Sequence, residues 1–359
     1  MSDDAKKILF AGGGTMGPVS PLFAIKDTLE ERHPNLIFHW VGTKNGPEKR
    51  VVAGHHIAYD SIITAKLHRF FSLKNLLSPF TFLIACMQAA RILKKQKPDM
   101  VIAAGAFVAV PVIWMARLMN IPSHIHQLDI RPGLANRLIA PFASLITVSF
   151  EPSIKAFKAG KTVWTGAPVR QDIAKVTTNK IHLKKDLPAV LIFGGGTGAQ
   201  GINQLVQNSW EVLAEHCQVI HLYGKGKQVS INHAHYHGYA FLRQEMAEAY
   251  AKADIVISRA GIATITELSF LKKPAIILPL PDSHQEDNAT MLENAQAAVI
   301  LNQNLISPQE FAMIIIQLLR DRIKKEQLAE NIGTFYIPDA TQKIVDKIDE
   351  LLYDKASQT

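Results

Sequence analysis

A chain of 359 residues, 48% hydrophobic and 19% charged, holds more apolar material than one core absorbs, since single cores seldom grow past about 250–300 residues; two α/β domains are expected. No run reaches the roughly eighteen apolar residues of a bilayer span, Met1 to Lys7 lack a signal-peptide apolar region, and Cys86 and Cys217 are too few for a disulfide framework or a zinc site, which fits a reducing cytosol. The net charge of +8 is uneven: 20 Lys and Arg face 10 Asp and Glu up to Thr165, against 19 and 21 beyond it, which points the first half toward an anionic surface or substrate.

Lys7–Ala11 reads as an apolar strand, Gly12–Pro18 as a glycine loop, and Val19 to about Arg32 as a helix. Glycines let backbone approach a ligand closely, and the helix N-terminus adds favourable partial charge for an anion. Gly12, Gly14 and Gly17 have dinucleotide-loop spacing, but the second strand, Leu36–Gly42, continues into Thr43 and Lys44 without the acid that would hold a ribose, which disfavours NAD. From Ser61 to Pro98 there is no Asp or Glu, while Lys66, Arg69, Lys74, Arg91, Lys94, Lys95 and Lys97 surround the apolar run Leu76–Met87. That pattern suits an interfacial segment with Phe70, Phe71, Leu73, Leu76, Leu77 and Phe80 in the acyl boundary and Lys74 on phosphates; a buried helix with a basic end is the other reading. Further strands are expected at Asp99–Ala104, Ser123–Gln127, Ser144–Phe150 and Lys161–Trp164. His126, Asp129, Arg131 and Asn136 gather at one strand end, where α/β sheets place their sites, although for each residue singly a satisfied structural hydrogen bond is the stronger account.

Gly166–Arg170 and the polar run Asp172–Pro188 read as the interdomain connection. A second strand, glycine loop and helix follow: Ala189–Phe193, Gly194–Gly198, and Gln200 to about Glu215. A strand is expected at Gln218–Tyr223; the run His233–His237 would align three histidines if extended, but without a carboxylate or thiol it reads as a polar surface loop. Asp254–Ser258 reads as a buried strand, followed by the turn Ala260–Gly261 and a helix carrying Thr264 and Glu267. Such a helix aims N–H groups at a ligand, and a carboxylate on it can accept from two neighbouring hydroxyls, as a ribose offers. After the strand Ala275–Pro279, His284, Gln285 and Asn288 supply uncharged groups suited to a sugar; a plain βαβ unit is the bland alternative. Ser307–Leu319, Lys324–Ile332 and Thr341–Leu352 read as amphipathic helices.

Taken together, Gly13–Pro21, Pro98–Pro111, His126–Asn136, Gly166–Arg170, Gly194–Gln204, Glu245–Glu267 and His284–Asn288 resemble, in order and spacing, glycosyltransferase family 28, in its branch that adds N-acetylglucosamine to the undecaprenyl-linked muramyl-pentapeptide of peptidoglycan. The resemblance implies a GT-B fold, two Rossmann-like domains facing a cleft: residues 1–165 for the acceptor and membrane, residues 166–359 for the UDP-sugar, with a last helix at about 339–354 packing back on the first domain. It implies a UDP-N-acetylglucosamine donor, a lipid-linked acceptor and a peripheral place on the cytoplasmic face of the membrane; no D-x-D run follows a strand, so no metal or other cofactor is expected, and without interleaved base-stacking aromatics no nucleic acid is expected. Glu267 would hold the ribose, Leu242 and Arg243 would flank uracil, and Gly194, Gly195, Gly196, Thr197, Gly198 and Arg170 would face the diphosphate. Ala260, Gly261, Thr264, His284, Gln285 and Asn288 complete the C-terminal donor set, Thr15 and Gly17 join it from the first loop, and Gly105 and Asn136 would touch the acceptor.

The departures fall on the acceptor side. Pro18 stands where the family has a loop histidine, Gln127 replaces an acid, Gly105–Phe107 replaces G-G-Y, and Gly196 replaces a serine. Proline cannot accept a proton, so Asp129 becomes the candidate base, with His126 beside it as a second catalytic candidate. A related UDP-sugar transferase with another acceptor, and a nucleotide-sugar-binding homologue without catalysis, fit the same departures; an RNA-binding protein fits the basic half but lacks interleaved aromatics.

Overall fold

The computed structural model describes residues 5–63, 78–195 and 198–353. Backbone contacts divide the chain into two units, Met1–Pro168 with Ile337–Thr359, and Val169–Tyr336.

The first unit opens with β1 (Lys7–Ala11), α1 (Val19–Arg32), β2 (Ile37–Thr43), α2 (Glu48–Gly54), β3 (Ala58–Ile62) and α3 (Ser78–Gln96). It continues with β4 (Met100–Ala103), α4 (Ala109–Leu118), β5 (Ser123–Gln127), α5 (Leu134–Ile139), β6 (Leu145–Val148) and β7 (Thr162–Trp164). Its seven strands are parallel in the order β3-β2-β1-β4-β5-β6-β7, with Leu9 opposite His39 on one side and Val101 on the other. Central strands of a parallel sheet are covered on both faces, which is why β1 and β4 read as continuous apolar runs. Leu9, Val101, Ile125 and Ile146 meet Leu93 of α3 and Val112 and Ile113 of α4 in one core. The short helix α2 and strand β3 carry too little periodicity to be read in advance.

The second unit repeats the plan with β8 (Ala189–Phe193), α6 (Gln200–Leu213), β9 (Gln218–Leu222), β10 (Tyr236–Tyr239), α7 (Met246–Lys252), β11 (Ile255–Ser258) and α8 (Ile262–Leu271). Then come β12 (Ala275–Ile277), α9 (Gln285–Asn294), β13 (Val299–Ile300), α10 (Pro308–Arg320) and α11 (Arg322–Gly333). The sheet order is β10-β9-β8-β11-β12-β13, again all parallel. Val190, Ile192, Ile257 and Ile276 pack against Ile202 and Val206 of α6 and Phe311 and Ile315 of α10. Helix α10 starts on a capping box, Ser307 accepting from the Glu310 N–H while the Glu310 carboxylate accepts from the Ser307 N–H, with Pro308 at the first turn.

The last helix, α12 (Ala340–Tyr353), returns to the first unit. Ile344, Val345, Ile348 and Leu352 are buried, and Arg32 of α1 donates to Asp346 and Asp349 at 2.6 and 2.9 Å.

Two sequence readings need correction. The His233–His237 run is not wholly a loop: Tyr236 and His237 enter edge strand β10 and pair with β9, and the Tyr236 hydroxyl meets His221 Nδ1 at 2.9 Å. The polar run 172–188 is no loose connection. Glu248 on α7, fully buried, accepts from Thr178 Oγ1 at 2.6 Å, from the Lys180 and Ile181 N–H groups at 2.9 Å each, and from Lys252 Nζ at 2.8 Å, stitching that run to the second unit.

Burial alone would raise the Glu248 carboxyl, but these donors hold it down at about 2. Its folded value lies below that of an unfolded glutamate, so its stabilisation is present above the ordinary glutamate range and is lost as pH falls through about 2. Glu248→Gln is therefore expected to destabilise the protein at pH 7 by about 1–3 kcal/mol, the cost of unsatisfied buried donors, with the gap from wild type narrowing below about pH 4 in urea titrations.

Candidate active site

In doubly wound sheets ligands bind beyond the carboxyl ends of the strands, where the strand order reverses. Those points lie between β1 and β4 in the first unit and between β8 and β11 in the second. Four loops are thereby singled out: Gly12–Pro18, Ala104–Phe107, Gly194–Ala199 and Arg259–Gly261.

In the first unit, Thr15 and Gly17 are exposed on a loop that is braced from beneath. Fully buried Glu48, at the start of α2, accepts from the Gly14 N–H at 3.1 Å, from the Thr43 N–H at 2.7 Å and from Thr43 Oγ1 at 2.6 Å. A Cβ at Gly13 would lie 2.2 Å from Glu48 Oε1, and one at Gly46 2.0 Å from Oε2, so both glycines are required by this carboxylate. Burial pushes the carboxyl up, and the hydrogen bonds from Thr43 and Gly14 outweigh it and hold it below the glutamate range. Sequence reasoning missed Glu48, because it looked for an acid at the end of β2 and the acid arrives five residues later from the next helix.

At the end of β5, His126 is fully buried, with Nδ1 against Thr147 Oγ1 at 2.8 Å and Nε2 against Ser149 Oγ at 3.1 Å. Burial lowers its imidazole to about 3, so it stays neutral. The catalytic role expected for His126 does not fit this environment, which leaves neither ring nitrogen for a substrate. Gln127 donates to the Asp129 carbonyl at 2.6 Å and accepts from Asn136 Nδ2 at 2.6 Å, while Asp129 itself is half-buried and Arg131 is exposed. Asn136 is buried, and its Oδ1 lies 3.4 Å from where a Gly105 Cβ would stand. Gly105 and Ala106 both have positive φ, 100° and 70°, an unusual backbone for the alanine.

The second unit gathers most of the donor set. Gly261 caps α8 with no side-chain cap, and a Cβ there would meet nothing within 4 Å, so open space lies before this helix start. Ala199 likewise starts α6 without a side-chain cap, and Lys227 Nζ donates to the Gly198 carbonyl at 2.8 Å. Glu267, in the second turn of α8, accepts from Tyr250 Oη at 2.9 Å and from Arg170 Nη2 at 3.2 Å. Arg170 and Glu267, expected to serve diphosphate and ribose separately, are thus paired with one another. Arg243 is exposed and Leu242 buried beside exposed Phe241, whose ring lies 5.2 Å from Lys225 Nζ.

On the sugar side, His284 is exposed at the start of α9, and Gln285 Oε1 accepts from the Leu280 N–H at 3.0 Å. Asn288 is fully buried and donates to the Ala260 carbonyl at 3.0 Å; it ties α9 to the turn before α8, and direct sugar contact does not fit that burial. Ala260 and Thr264 are buried as well. Gly196 and Thr197, and the membrane candidates Phe70, Phe71, Lys74, Leu76 and Leu77 with neighbouring Leu73, lie outside the described residues. Phe80 is described and is 69% exposed, with Leu83, Ile84 and Met87 also exposed along α3. No helix among the described residues is long and apolar enough to cross a membrane. None of them forms a group of three or more His, Cys, Asp or Glu placed to hold a metal.

The N-terminal domain of glycosyltransferase family 28 matches residues 8–148, and its C-terminal domain matches residues 189–347. A UDP-N-acetylglucosamine–N-acetylmuramyl-(pentapeptide) pyrophosphoryl-undecaprenol N-acetylglucosamine transferase of Clostridium kluyveri is 34% identical, covering 96% of this chain and 99% of its own. Among solved structures, MurG of Acinetobacter baumannii is 26% identical with a TM-score of 0.75, covering 96% of this chain and 99% of that one. The calicheamicin glycosyltransferase CalG4, 12% identical with a TM-score of 0.76 over 98% of this chain and all of that one, shares the fold.

Glu267, half-buried, differs electrostatically from the buried Glu48 and Glu248. Burial pushes its carboxyl above the glutamate range, and Arg170 and Tyr250 offset this only in part. A folded carboxyl above its unfolded value costs stability at neutral pH, a cost relieved as pH falls through the folded value. Glu267→Gln is therefore expected to melt at or above the wild-type temperature at pH 7, with the two converging in acid; a clear loss of stability at pH 7 would contradict this assignment.

Proposed function

The chain belongs to glycosyltransferase family 28, and on that premise we propose that it transfers N-acetylglucosamine from UDP-N-acetylglucosamine to N-acetylmuramyl-(pentapeptide) pyrophosphoryl-undecaprenol with inversion, a step of peptidoglycan synthesis. The carrying observation is the constellation in the second unit. An uncapped helix start at a switch point is followed, on the same helix, by a half-buried carboxylate held by one neutral hydroxyl and one half-exposed arginine.

In this reading Glu267 accepts from the ribose hydroxyls and the Leu242–Arg243 segment flanks uracil. The glycine loop with the start of α6, and Arg170, face the diphosphate, while His284 and Gln285 border the sugar. Chemistry is displacement at the anomeric carbon. The acceptor hydroxyl oxygen forms the new C–O bond, the bond from C1 to the β-phosphate oxygen breaks, and its electron pair leaves with UDP. Helix N–H groups and Arg170 meet the charge on UDP. The hydroxyl proton goes to Asp129 of the first unit, because Pro18 offers no base and His126 is sealed away. The exposed apolar residues of α3, followed by Arg91, Lys94 and Lys95, suit the anionic membrane surface that presents such a lipid, and they support a peripheral site on the cytoplasmic face.

Incubation with labelled UDP-N-acetylglucosamine and polyprenyl-diphosphate muramyl acceptors is expected to give a β-linked disaccharide lipid, with turnover intact in excess chelator. Asp129→Asn should lower kcat by roughly 10²–10⁴-fold, the usual contribution of a general base, with UDP binding retained. Absence of transfer to any such acceptor would overturn the assignment. Because the ribose is held by the ionised carboxylate, UDP affinity should weaken on acidification at a pH above the ordinary glutamate range, and Glu267→Gln should both weaken UDP binding and flatten that profile.

A further inference from the structure

Tyr250 lies on α7, an element to which sequence reasoning assigned no donor residue, and only 1% of its surface is exposed. Its hydroxyl nevertheless donates to Glu267 Oε2 at 2.9 Å. Its ring packs edge-on against Phe193, at 6.0 Å and 88°, and Phe193 is the last residue of β8 before the glycine loop. The ring is thus fixed by the same strand that sets the loop, while its hydroxyl fixes one oxygen of the carboxylate.

The two partners of Glu267 differ in what a ligand could do to them. Arg170, on Oε1, keeps 46% of its side chain exposed, so its pair is screened, costs side-chain entropy to hold, and can be exchanged for a ligand group. Tyr250 is sealed, has two side-chain torsions locked by packing, and cannot be reached by ligand. A carboxylate with only Arg170 would swing with that arginine. With Tyr250 on Oε2, its plane is set before a ligand arrives, and preset geometry reduces what binding must order.

We propose that Tyr250 is a positioning residue that presents Glu267 to the vicinal hydroxyls of a bound nucleoside diphosphate without touching the ligand. The inference rests on the ribose reading of Glu267 given above. It makes the selectivity of the site for a hydroxylated ribose depend on a residue remote from the ligand.

The test is a binding cycle with two probes, UDP and 2′,3′-dideoxyuridine diphosphate, titrated calorimetrically against the full-length protein, Tyr250→Phe, Glu267→Gln and the double variant. Tyr250→Phe is expected to weaken UDP about tenfold, in line with loss of a hydrogen bond to a charged group, and to change the dideoxy probe less than about twofold. In the Glu267→Gln background the same change should add nothing, because the group it acts through is gone. In turnover, Tyr250→Phe should raise KM for the donor and leave kcat near wild type. An equal loss for both probes in Tyr250→Phe, or no loss for UDP where Glu267→Gln shows one, would overturn the inference. If Glu267→Gln binds UDP like wild type, the ribose reading itself falls and takes the inference with it. Should Tyr250→Phe fail to fold, replacement of Tyr250 by 3-fluorotyrosine, which keeps the ring and alters the donor strength of the hydroxyl, must change UDP binding and leave the dideoxy probe near wild type.

Discussion

The structure depends on how a carboxylate taken out of water is compensated. An ionised carboxylate loses hydration on burial and stays charged only if enough donors replace it. Glu48 and Glu248 have several donors each, from backbone N–H groups, hydroxyls or an ammonium, and both are held below the usual glutamate range. They are structural clips, one under the first glycine loop and one across the polar run after Arg170. Glu267 has a hydroxyl and an exposed guanidinium, and it rests above that range. An undersupplied carboxylate at a strand-order reversal has acceptor capacity left for a ligand, which separates a binding group from a clip more sharply than burial does.

That contrast becomes useful through the duplicated sheet. Each unit places its first strand next to its fourth, so the two loops that follow them open at the same edge. In the second unit the α6 and α8 starts both lack side-chain caps, and the surrounding hydrogen bonds hold the loops from behind. Asn288 reaches the Ala260 carbonyl, Arg259 donates to the Leu278 and Pro279 carbonyls at 3.0 Å each, and Lys227 holds Gly198. Asn288, Arg259 and Lys227 are therefore spent on the frame of these loops, and the helix starts present backbone N–H groups, the usual equipment of a helix start.

This division explains what was legible in the sequence. β1, β5 and β8 were readable to the residue, because an apolar run ending in a glycine loop or a polar strand end is a local signal; α8 was read as Thr264–Phe270, inside its observed span Ile262–Leu271. The roles of His126 and Asn288 were not legible. Both sit in the motif order that marks a site, yet each is consumed by partners far along the chain, Thr147 and Ser149 for one and Ala260 for the other. Spacing reports that a polar residue lies near a strand end but not whether a neighbouring strand already holds its donors and acceptors. Glu48 and Tyr250 escaped for the converse reason: each lies on a different helix from the residues it organises, with no local pattern pointing across.

The acceptor-side departures have a physical logic of their own. Where relatives of the resembled pattern carry an acid, Gln127 both donates to the Asp129 carbonyl and accepts from Asn136. A carboxylate can only accept, so it could not make the first of those bonds while ionised. Gln127 therefore places no charge next to Asp129 and fixes the Asp129 backbone. A fixed backbone narrows the arc the Asp129 carboxylate sweeps. Pro18, one loop away, contributes neither a base nor an N–H donor, and as the residue before α1, with φ of −70°, it already has the backbone angle of a helix start. Pro18 thus offers no proton acceptor, while Gln127 anchors the backbone of Asp129, the base proposed above.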